Sequence, residues 1–596
     1  MLLKNKALFA SAGTGKTYQL TNRFIQILHH TEKPERIIAL TFTRASAGEF
    51  FRKIIEKLYV AASSEEAASK LSKELNIKAD AIRYTDLIEC MLKTLHKQNL
   101  QTLDSFLYQI ISSFTTELGI PEPINLLSEN SANYYQKQVQ DSIIYQLNPN
   151  AEGKDIIKKF WYAFNQSNYG GQKRSIEKTL SNYIQKQHQL FLETPEESKW
   201  GNFKYIWGST LKWFSENDFD WDELSNNILK AIPDDSTKAA YKAYESAADD
   251  IKSFPKKLSY RTTLERCIDN HKAIFSGDAS IVIRNKQLFL KGALCEAIKK
   301  SIQAIFSLYI KRSLERTQGT YKILEIYDHE YDRLIRKSGK LTFADLVCLL
   351  NTNSSNRSFN LKDPFVRDLI DYRLDAQFDH WLFDEFQDPS RQQWNIVSNL
   401  VEEVLQDPES GRSVFFVGDT KQSLYLWRNS DDRLYQEICE NYEGSIELPE
   451  PLNESYRSSP AIMEAVNRVF NETHLIESCF GKTVSKRWEK AWKPHFSNSS
   501  VAKEEGFASW IQVDSSSYKN ENYFIYSILK NLEPKLENLS VGILVRKNDE
   551  VKDIAYFLRE QNLAFPIKIG SSQNPARDTS VGATLMNMLY LSLIHI

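Results

Sequence analysis

Apolar residues along this chain come in two rhythms. Short unbroken runs recur at Leu8-Phe9, Ile37-Ile38-Ala39-Leu40, Trp381-Leu382-Phe383 and Val414-Phe415-Phe416-Val417. Runs that do not alternate with polar residues predict strands buried on both faces of a parallel sheet. Between them the apolar positions space out to a helical period. Leu20, Phe24, Ile27 and Leu28 mark one helix face, and Pro34 interrupts the chain before the next strand. Residues 1–60 therefore read as a βαβ unit. Residues 61–95 are rich in Ala, Glu and Lys and predict helix. Thr102-Leu103-Asp104-Ser105-Phe106 reads as a helix start capped by Asp or Ser.

From 116 to 335 the helical rhythm dominates and strand-like runs are few. Ile298, Ile302, Ile305, Phe306 and Tyr309 fall on one face, with Lys299, Lys300, Lys311 and Arg312 on the others. This predicts a helical insertion with its own small core. Ser167–Arg174 reads as a loop through its Gly170-Gly171 pair. Order returns at Leu341-Thr342-Phe343-Ala344-Asp345-Leu346. Farther on, Ser540–Arg546 predicts a buried strand, and Val551, Ile554, Ala555 and Leu558 predict a helix.

Four stretches carry chemistry, the first three of them where apolar runs end. The first is Ala10-Ser11-Ala12-Gly13-Thr14-Gly15-Lys16-Thr17. A small-residue loop between a strand and a helix aims successive backbone N–H groups, and the helix dipole, at one anion. Lys16 would reach the β and γ phosphates of a nucleotide, and the Thr17 hydroxyl would serve Mg²⁺. The second is Asp384-Glu385-Phe386-Gln387-Asp388, where a strand delivers adjacent carboxylates: one to hold a metal, one to polarise water. The third runs from Gly418-Asp419 through Gln422 to Tyr425, Trp427 and Arg428. Gln422 can donate and accept at once, which suits sensing of a γ-phosphate or its water. The aromatic–cation cluster after it suits stacking on nucleic-acid bases. The fourth, Ser455-Tyr456-Arg457-Ser458, places an arginine in a turn before a helix, a position suited to reading an anion. Phe42 has two readings, a core side chain at a strand end or an exposed platform for a base.

Composition narrows the field. The 596 residues predict roughly three to five structural units at about 150 residues each. Net charge is −2, so any affinity for nucleic acid must come from local grooves. The six cysteines form no C-x-x-C pair, which excludes the usual zinc and iron–sulfur spacings and predicts buried thiols in a reducing cytoplasm. No membrane-length apolar run occurs, and the phosphate loop follows the first residues too closely for a removable leader.

Together and in this order, the four strings resemble the superfamily 1 UvrD/Rep-type helicases, most closely their AddA/RecB-like branch, which supplies the motor of exonuclease V-type recombination complexes. The match covers about 115 residues at the N-terminus and about 130 more between 340 and 470. The resemblance implies an α/β fold: a RecA-like lobe (1–115 and 336–445), a helical accessory insertion (116–335) and a partial second RecA-like lobe (446–596). It implies ATP and Mg²⁺ held by Ala10–Thr17, with Asp384 on the metal, Glu385 as catalytic base, and Gln422 coupling the γ-phosphate to DNA. Tyr456 would stack on adenine and Arg457 would reach the γ-phosphate. Thr41, Phe42, Thr43, Thr102, Ser105, Tyr425, Trp427 and Arg428 would line a single-strand track. It further implies 3′ to 5′ movement on DNA, a cytoplasmic location and a partner subunit.

The sequence departs from the pattern in places. Arg44-Ala45 stands for the usual Asn-Lys, Asp104 for His, and Pro389 for Thr. No Thr-x-His-x-x-Lys-Gly-Leu-Glu string, final arginine motif or nuclease carboxylate–Lys pattern is found. One second-lobe arginine, Arg457, is retained, and an arginine finger contributes about 10³–10⁵ in rate. The expectation is an N-terminal part of such a helicase that binds ATP·Mg²⁺. The residues leave open an ATP-binding scaffold or switch without unwinding activity, and an RNA motor or another phosphate-loop NTPase.

Overall fold

The computed structural model describes residues 3–146, 160–165, 176–208, 210–211, 214, 218–277, 279–283, 286–351, 361, 363–424, 430–502, 506–512, 518–532, 539–561, 563, 565–570 and 588. The chain divides into two compact units, 1–503 and 504–596. The first is built on six parallel strands: β1 (Asn5–Phe9), β2 (Ile37–Thr41), β3 (Asn99–Thr102), β4 (His380–Phe383), β5 (Ser413–Gly418) and β6 (Ile446–Glu447). Their spatial order is β6-β1-β5-β4-β2-β3.

The unbroken apolar runs follow from this sheet being covered twice. Ile37 and Ala39 of β2 pack with Leu20, Phe24, Phe50 and Ile54 on one face. Ile38 and Leu40 pack with Phe106, Leu346, Trp394 and Val401 on the other. Leu382, Phe415 and Val417 belong to the first face, and Trp381, Phe383, Val414 and Phe416 to the second. The apolar runs of these strands therefore meet apolar partners on both faces of the sheet.

The helices that cover the sheet begin at chemically marked sites. Helix α1 (Lys16–Thr31) follows the phosphate loop, and α2 (Arg44–Ala62) is capped by Thr43, whose Oγ1 accepts the Ser46 amide. Helix α3 (Leu103–Ser113) is capped by Thr102, which accepts the Ser105 amide. The cap is thus Thr102 rather than Asp104 or Ser105, because the residue at the end of β3 already has the extended backbone a cap needs.

The region between 127 and 335 has two apolar clusters of its own, one around Tyr244, Phe254, Leu290 and Ile302, the other around Phe160, Ile184, Leu324 and Tyr327. Both lean on α4 (Gly292–Leu334), a helix of 43 residues. The same region contains an antiparallel hairpin, Ala279–Ile283 with Lys286–Leu290, that helical periodicity did not reveal. Its inward side chains, Ile281, Leu288 and Leu290, are buried beside the helices. Helix α5 (Phe343–Leu350) returns the chain to the sheet. It opens with a capping box between Thr342 and Asp345, and α6 (Arg391–Gln406) opens with another between Ser390 and Gln393.

In the second unit the expected strand at Ser540–Arg546 does not form. The segment pairs with no described strand, and Leu544 is 98% exposed. A strand exists only by hydrogen bonding to a neighbour, so an apolar run without a ladder partner stays irregular. The helix expected beside it is present as Asn548–Glu560, with Ala555 and Leu558 buried. The cysteines form no disulfide among the described residues, and only part of the buried-thiol expectation holds: Cys267, Cys295 and Cys439 are buried, whereas Cys479 is exposed. The Ser167–Arg174 loop lies outside the described residues.

Candidate active site

The first three informative stretches leave the sheet at the C-terminal ends of its strands, and the fourth, Ser455–Ser458, follows a short strand that pairs outside this sheet. Strand register puts Phe9 beside Gly418, Phe383 beside Leu40, and Thr41 beside Thr102. Parallel strands must share this edge, so residues distant in sequence leave the sheet side by side.

The phosphate loop has the backbone expected of an anion cradle. Gly13 and Gly15 have φ of 76° and 92°, a region that a side chain disfavours. Thr14 folds back, its Oγ1 donating to the Ser11 carbonyl at 2.8 Å. Ser11 Oγ is buried without a partner. Lys16 points from the first turn of α1 to Glu385, with Nζ to Oε2 at 2.5 Å.

The carboxylate stretch turns sharply off β4. The Asp384 amide donates to the Leu40 carbonyl and the Phe386 amide to the Val417 carbonyl, so the turn is stitched to both neighbouring strands. Glu385 sits at φ 50°, a left-handed conformation that costs a non-glycine residue about 1–3 kcal/mol. The stitched flanks hold it there. Burial, reinforced by the Glu385 charge and opposed by Lys16, pushes Asp384 up to about 6. Burial and Glu385 push Asp388 up to about 7, and Asp388 Oδ1 is buried without a partner. Acids held up in this way are short of positive charge.

Gln422 lies in a short 3₁₀ turn (Thr420–Gln422) after β5. Its Nε2 donates to Asp419 Oδ2 at 2.7 Å. Its link to the carboxylates runs through Asp419 and Gln387, with no direct bond to Lys16 or Glu385. The Ser455–Ser458 stretch lies against the phosphate loop. The Tyr456 amide donates to the Gly13 carbonyl at 2.8 Å, and the Ser11 amide donates to the Leu452 carbonyl at 3.1 Å. A Cβ on Gly13 would stand 2.7 Å from Ser455 Oγ and 3.0 Å from Arg457 Cβ. The Tyr456 ring is exposed, and Arg457 is exposed and makes no ion pair among the described residues.

The hydroxyls expected along a nucleic-acid track are largely committed to the backbone. Thr41 is buried and donates to the Thr43 carbonyl. Thr43 and Thr102 cap helices, and their side chains bond to Ser46 and Ser105 at 2.7 Å. Phe42 is half-buried. Tyr425, Trp427 and Arg428 lie outside the described residues. Gln387 and Asp419, which tie the carboxylates to the Gln422 turn, had no assigned part in the sequence reading. Their signal was present, since both belong to the polar strings that end β4 and β5.

A magnesium nucleotide fits this chemistry. Ser11 and Asp388 have unused buried oxygens, and Lys16 and Arg457 supply positive charge. No group of three or more His, Cys, Asp or Glu side chains converges on a metal site among the described residues.

Comparison with known proteins agrees. The model of the UvrD/REP helicase N-terminal domain matches residues 2–443. An ATP-dependent helicase/nuclease subunit of Clostridium beijerinckii is 22% identical over 510 residues, which cover 78% of this chain and 38% of that protein. The RecB subunit of the RecBCD enzyme of Chlamydia muridarum is 25% identical over 542 residues, 85% of this chain and 47% of that protein. RecB of Chlamydia trachomatis is 24% identical over 489 residues, 78% and 42% respectively. The chain thus spans less than half the length of these relatives. No helix among the described residues is long and apolar enough to cross a membrane. With the matching family model covering most of the sheet, its insertion and three of the four informative stretches, the chain belongs to the UvrD/Rep helicase family.

Proposed function

We propose that this chain is the ATP-binding motor portion of a DNA helicase of recombinational break repair, moving 3′ to 5′ on single-stranded DNA with a partner subunit in an exonuclease V-like complex of the cytoplasm. The names of its helicase/nuclease and RecB relatives support that setting. The observation that carries the reading is the meeting of Lys16 and Glu385 at the sheet edge, with Tyr456 and Arg457 laid against the same loop.

In this reading residues 1–115 and 336–445 form the catalytic lobe, 116–335 the accessory insertion, and 446–596 part of the second lobe. The loop from Ala10 to Thr17 binds the phosphates through backbone N–H groups. Lys16, released from Glu385 when phosphate arrives, pairs with the β and γ oxygens. Glu385 then accepts a proton from the attacking water. Arg457 neutralises charge spreading onto the γ-phosphate, and Gln422 reports its presence. The exposed Tyr456 ring offers a face to adenine. Thr17 and Asp384 would hold Mg²⁺, which would supply positive charge to the phosphates when bound. Thr41, Phe42, Thr43, Thr102, Ser105, Tyr425, Trp427 and Arg428 would border the strand.

The test is ATP hydrolysis by the 596-residue chain with and without single-stranded DNA. Lys16→Ala should abolish nucleotide binding. Glu385→Gln should keep binding but remove DNA-stimulated phosphate release. Equal hydrolysis by all three proteins would refute the proposal.

A further inference from the structure

Residues 482–495 carry Lys482, Lys486, Arg487, Lys490 and Lys493 against one acid, Glu489, in a chain whose net charge is −2. All but Lys493 lie on α8 (Lys482–Ala491), which comes after α7 (Pro460–Phe470) in the first unit. Lys482, Lys486 and Lys490 are spaced i, i+4 and i+8. At 3.6 residues per turn they fall within about 80° of arc, and at 1.5 Å per residue the row is about 12 Å long.

The other side of α8 is committed to the protein. Trp488 stands about 160° from the middle of the lysine row. Its Nε1 donates to the Phe470 carbonyl at 2.8 Å, and its ring stacks on Trp492 with centroids 5.4 Å apart. Phe470 lies against both indoles, and His495 lies against Trp492. Ser485 is buried and donates to the Thr473 carbonyl at 3.0 Å. Arg487 pairs with Asp432 at 2.7 Å. These contacts fasten the helix, and the lysines face solvent.

Neither Lys482, Lys486, Lys490, Lys493 nor Glu489 makes an ion pair among the described residues. An ordinary solvated helix face sets acids four residues from bases. This one sets like charges four apart, which repel, and puts Lys482 and Lys486 in the first turns, where the helix dipole is already positive. The fold leaves that repulsion uncompensated, so the row is matched to an anion brought from outside. The indoles of the segment are turned to Phe470 and to each other, which leaves the row no platform for stacked bases. A duplex keeps its bases inside and presents one phosphate per strand about every 3.4 Å of axis. That is the surface a row of bare ammonium groups can meet.

We propose that the lysine row of α8 is a contact for duplex DNA, a sequence-independent grip on the phosphate backbone separate from the single-strand track proposed above. The inference rests on the DNA-motor reading. Each phosphate neutralised by a lysine adds about 0.9 to the steepness with which log affinity falls against log salt, so three lysines should supply about 2.7.

The experiment titrates the full chain into a fluorescein-labelled blunt duplex and reads anisotropy at salt concentrations between about 50 and 200 mM. Replacing Lys482, Lys486 and Lys490 together by Gln, a good helix former, should make the salt dependence shallower by about two to three and weaken duplex binding about tenfold or more. Replacing the same three by Arg should keep both the affinity and the slope. A thymidine oligonucleotide should bind the Gln variant within about twofold of the unaltered chain. An unchanged slope in the Gln variant overturns the proposal and leaves an acidic protein surface as the partner of the row. An equal loss of oligonucleotide binding overturns the duplex assignment, as does a loss of affinity in the Arg variant. If the unaltered chain binds no duplex, the proposal falls, while its binding of an ATP analogue and of the oligonucleotide would leave the proposed function standing. If it binds neither of those, the proposed function falls as well.

Discussion

The Tyr456 amide donates to the Gly13 carbonyl at 2.8 Å, bonding the Ser455–Ser458 turn to the apex of the phosphate loop. Gly13 can make this contact because it lacks a side chain and has φ of 76°. Gly13→Ala would force a Cβ against Ser455 Oγ and Arg457 Cβ. The expected result is about tenfold weaker binding of an ATP analogue, or roughly 1.4 kcal/mol, measured by fluorescence titration. Gly48, inside α2, meets nothing within 4 Å, and Gly48→Ala should stabilise the protein by about 0.5–1 kcal/mol in the same preparation.

The joint between α4 and α5 is a buried ion network. Asp345, 1% exposed, accepts Arg336 Nε at 2.7 Å, Tyr331 OH at 3.0 Å, and the Thr342 amide and hydroxyl at 2.8 and 2.7 Å. Arg336 also donates to Asp328 at 2.6 Å, and His188 meets the same Asp328 oxygen at 3.0 Å. Removing one partner of a buried pair leaves the other charge uncompensated. Asp345→Ala should cost about 3–5 kcal/mol in urea unfolding. A loss below about 1 kcal/mol would show that the network is not what fastens the joint.

His380 in β4 is buried, its Nδ1 against Ser413 Oγ at 3.0 Å, and burial pushes its imidazolium down to about 4. The unfolded chain takes up this proton near pH 6.5, the folded protein only near pH 4. Between those values the unfolded state binds more protons, so stability rises with pH through the window and falls on acidification. The full span is worth about 3 kcal/mol. His380→Gln should flatten the rise of melting temperature between about pH 4.5 and 6.5. An unchanged slope would assign the acid limb to other groups.

Leu544 lies in an apolar run but is almost fully exposed. Leu544→Ser should therefore change stability by no more than about 0.5 kcal/mol. A cost of about 2–5 kcal/mol in the same chain would mean the run is packed as a core strand.

Much of the parallel sheet and its edge was legible because its constraints are local. A strand buried on both faces must be an unbroken apolar run, and Ile37–Leu40 and Val414–Val417 are. A loop that turns backbone amides on an anion needs small residues before Lys16, and the chain supplies them. The hairpin at Ala279–Leu290 was missed because its pairing is decided by the helices around it, not by its alternation. The run at Ser540–Arg546 misled for the complementary reason: apolar content permits a strand, but only a neighbouring strand makes one.

The sequence by itself determined which side chains can do chemistry: a lysine in a glycine-bearing loop, adjacent carboxylates after a strand, a glutamine after another, an arginine in a turn. Only the tertiary structure decided which of them touch. Lys16 meets Glu385 because β1 and β4 flank β5 in one parallel sheet, a neighbourhood set by non-local hydrogen bonding. Gln422 reaches the carboxylates only through Gln387 and Asp419, since the amide fits where Gly418 leaves room for it. Spacing along a polymer fixes local geometry over a few residues; contact between distant residues is fixed by the packing that offsets the chain's lost entropy.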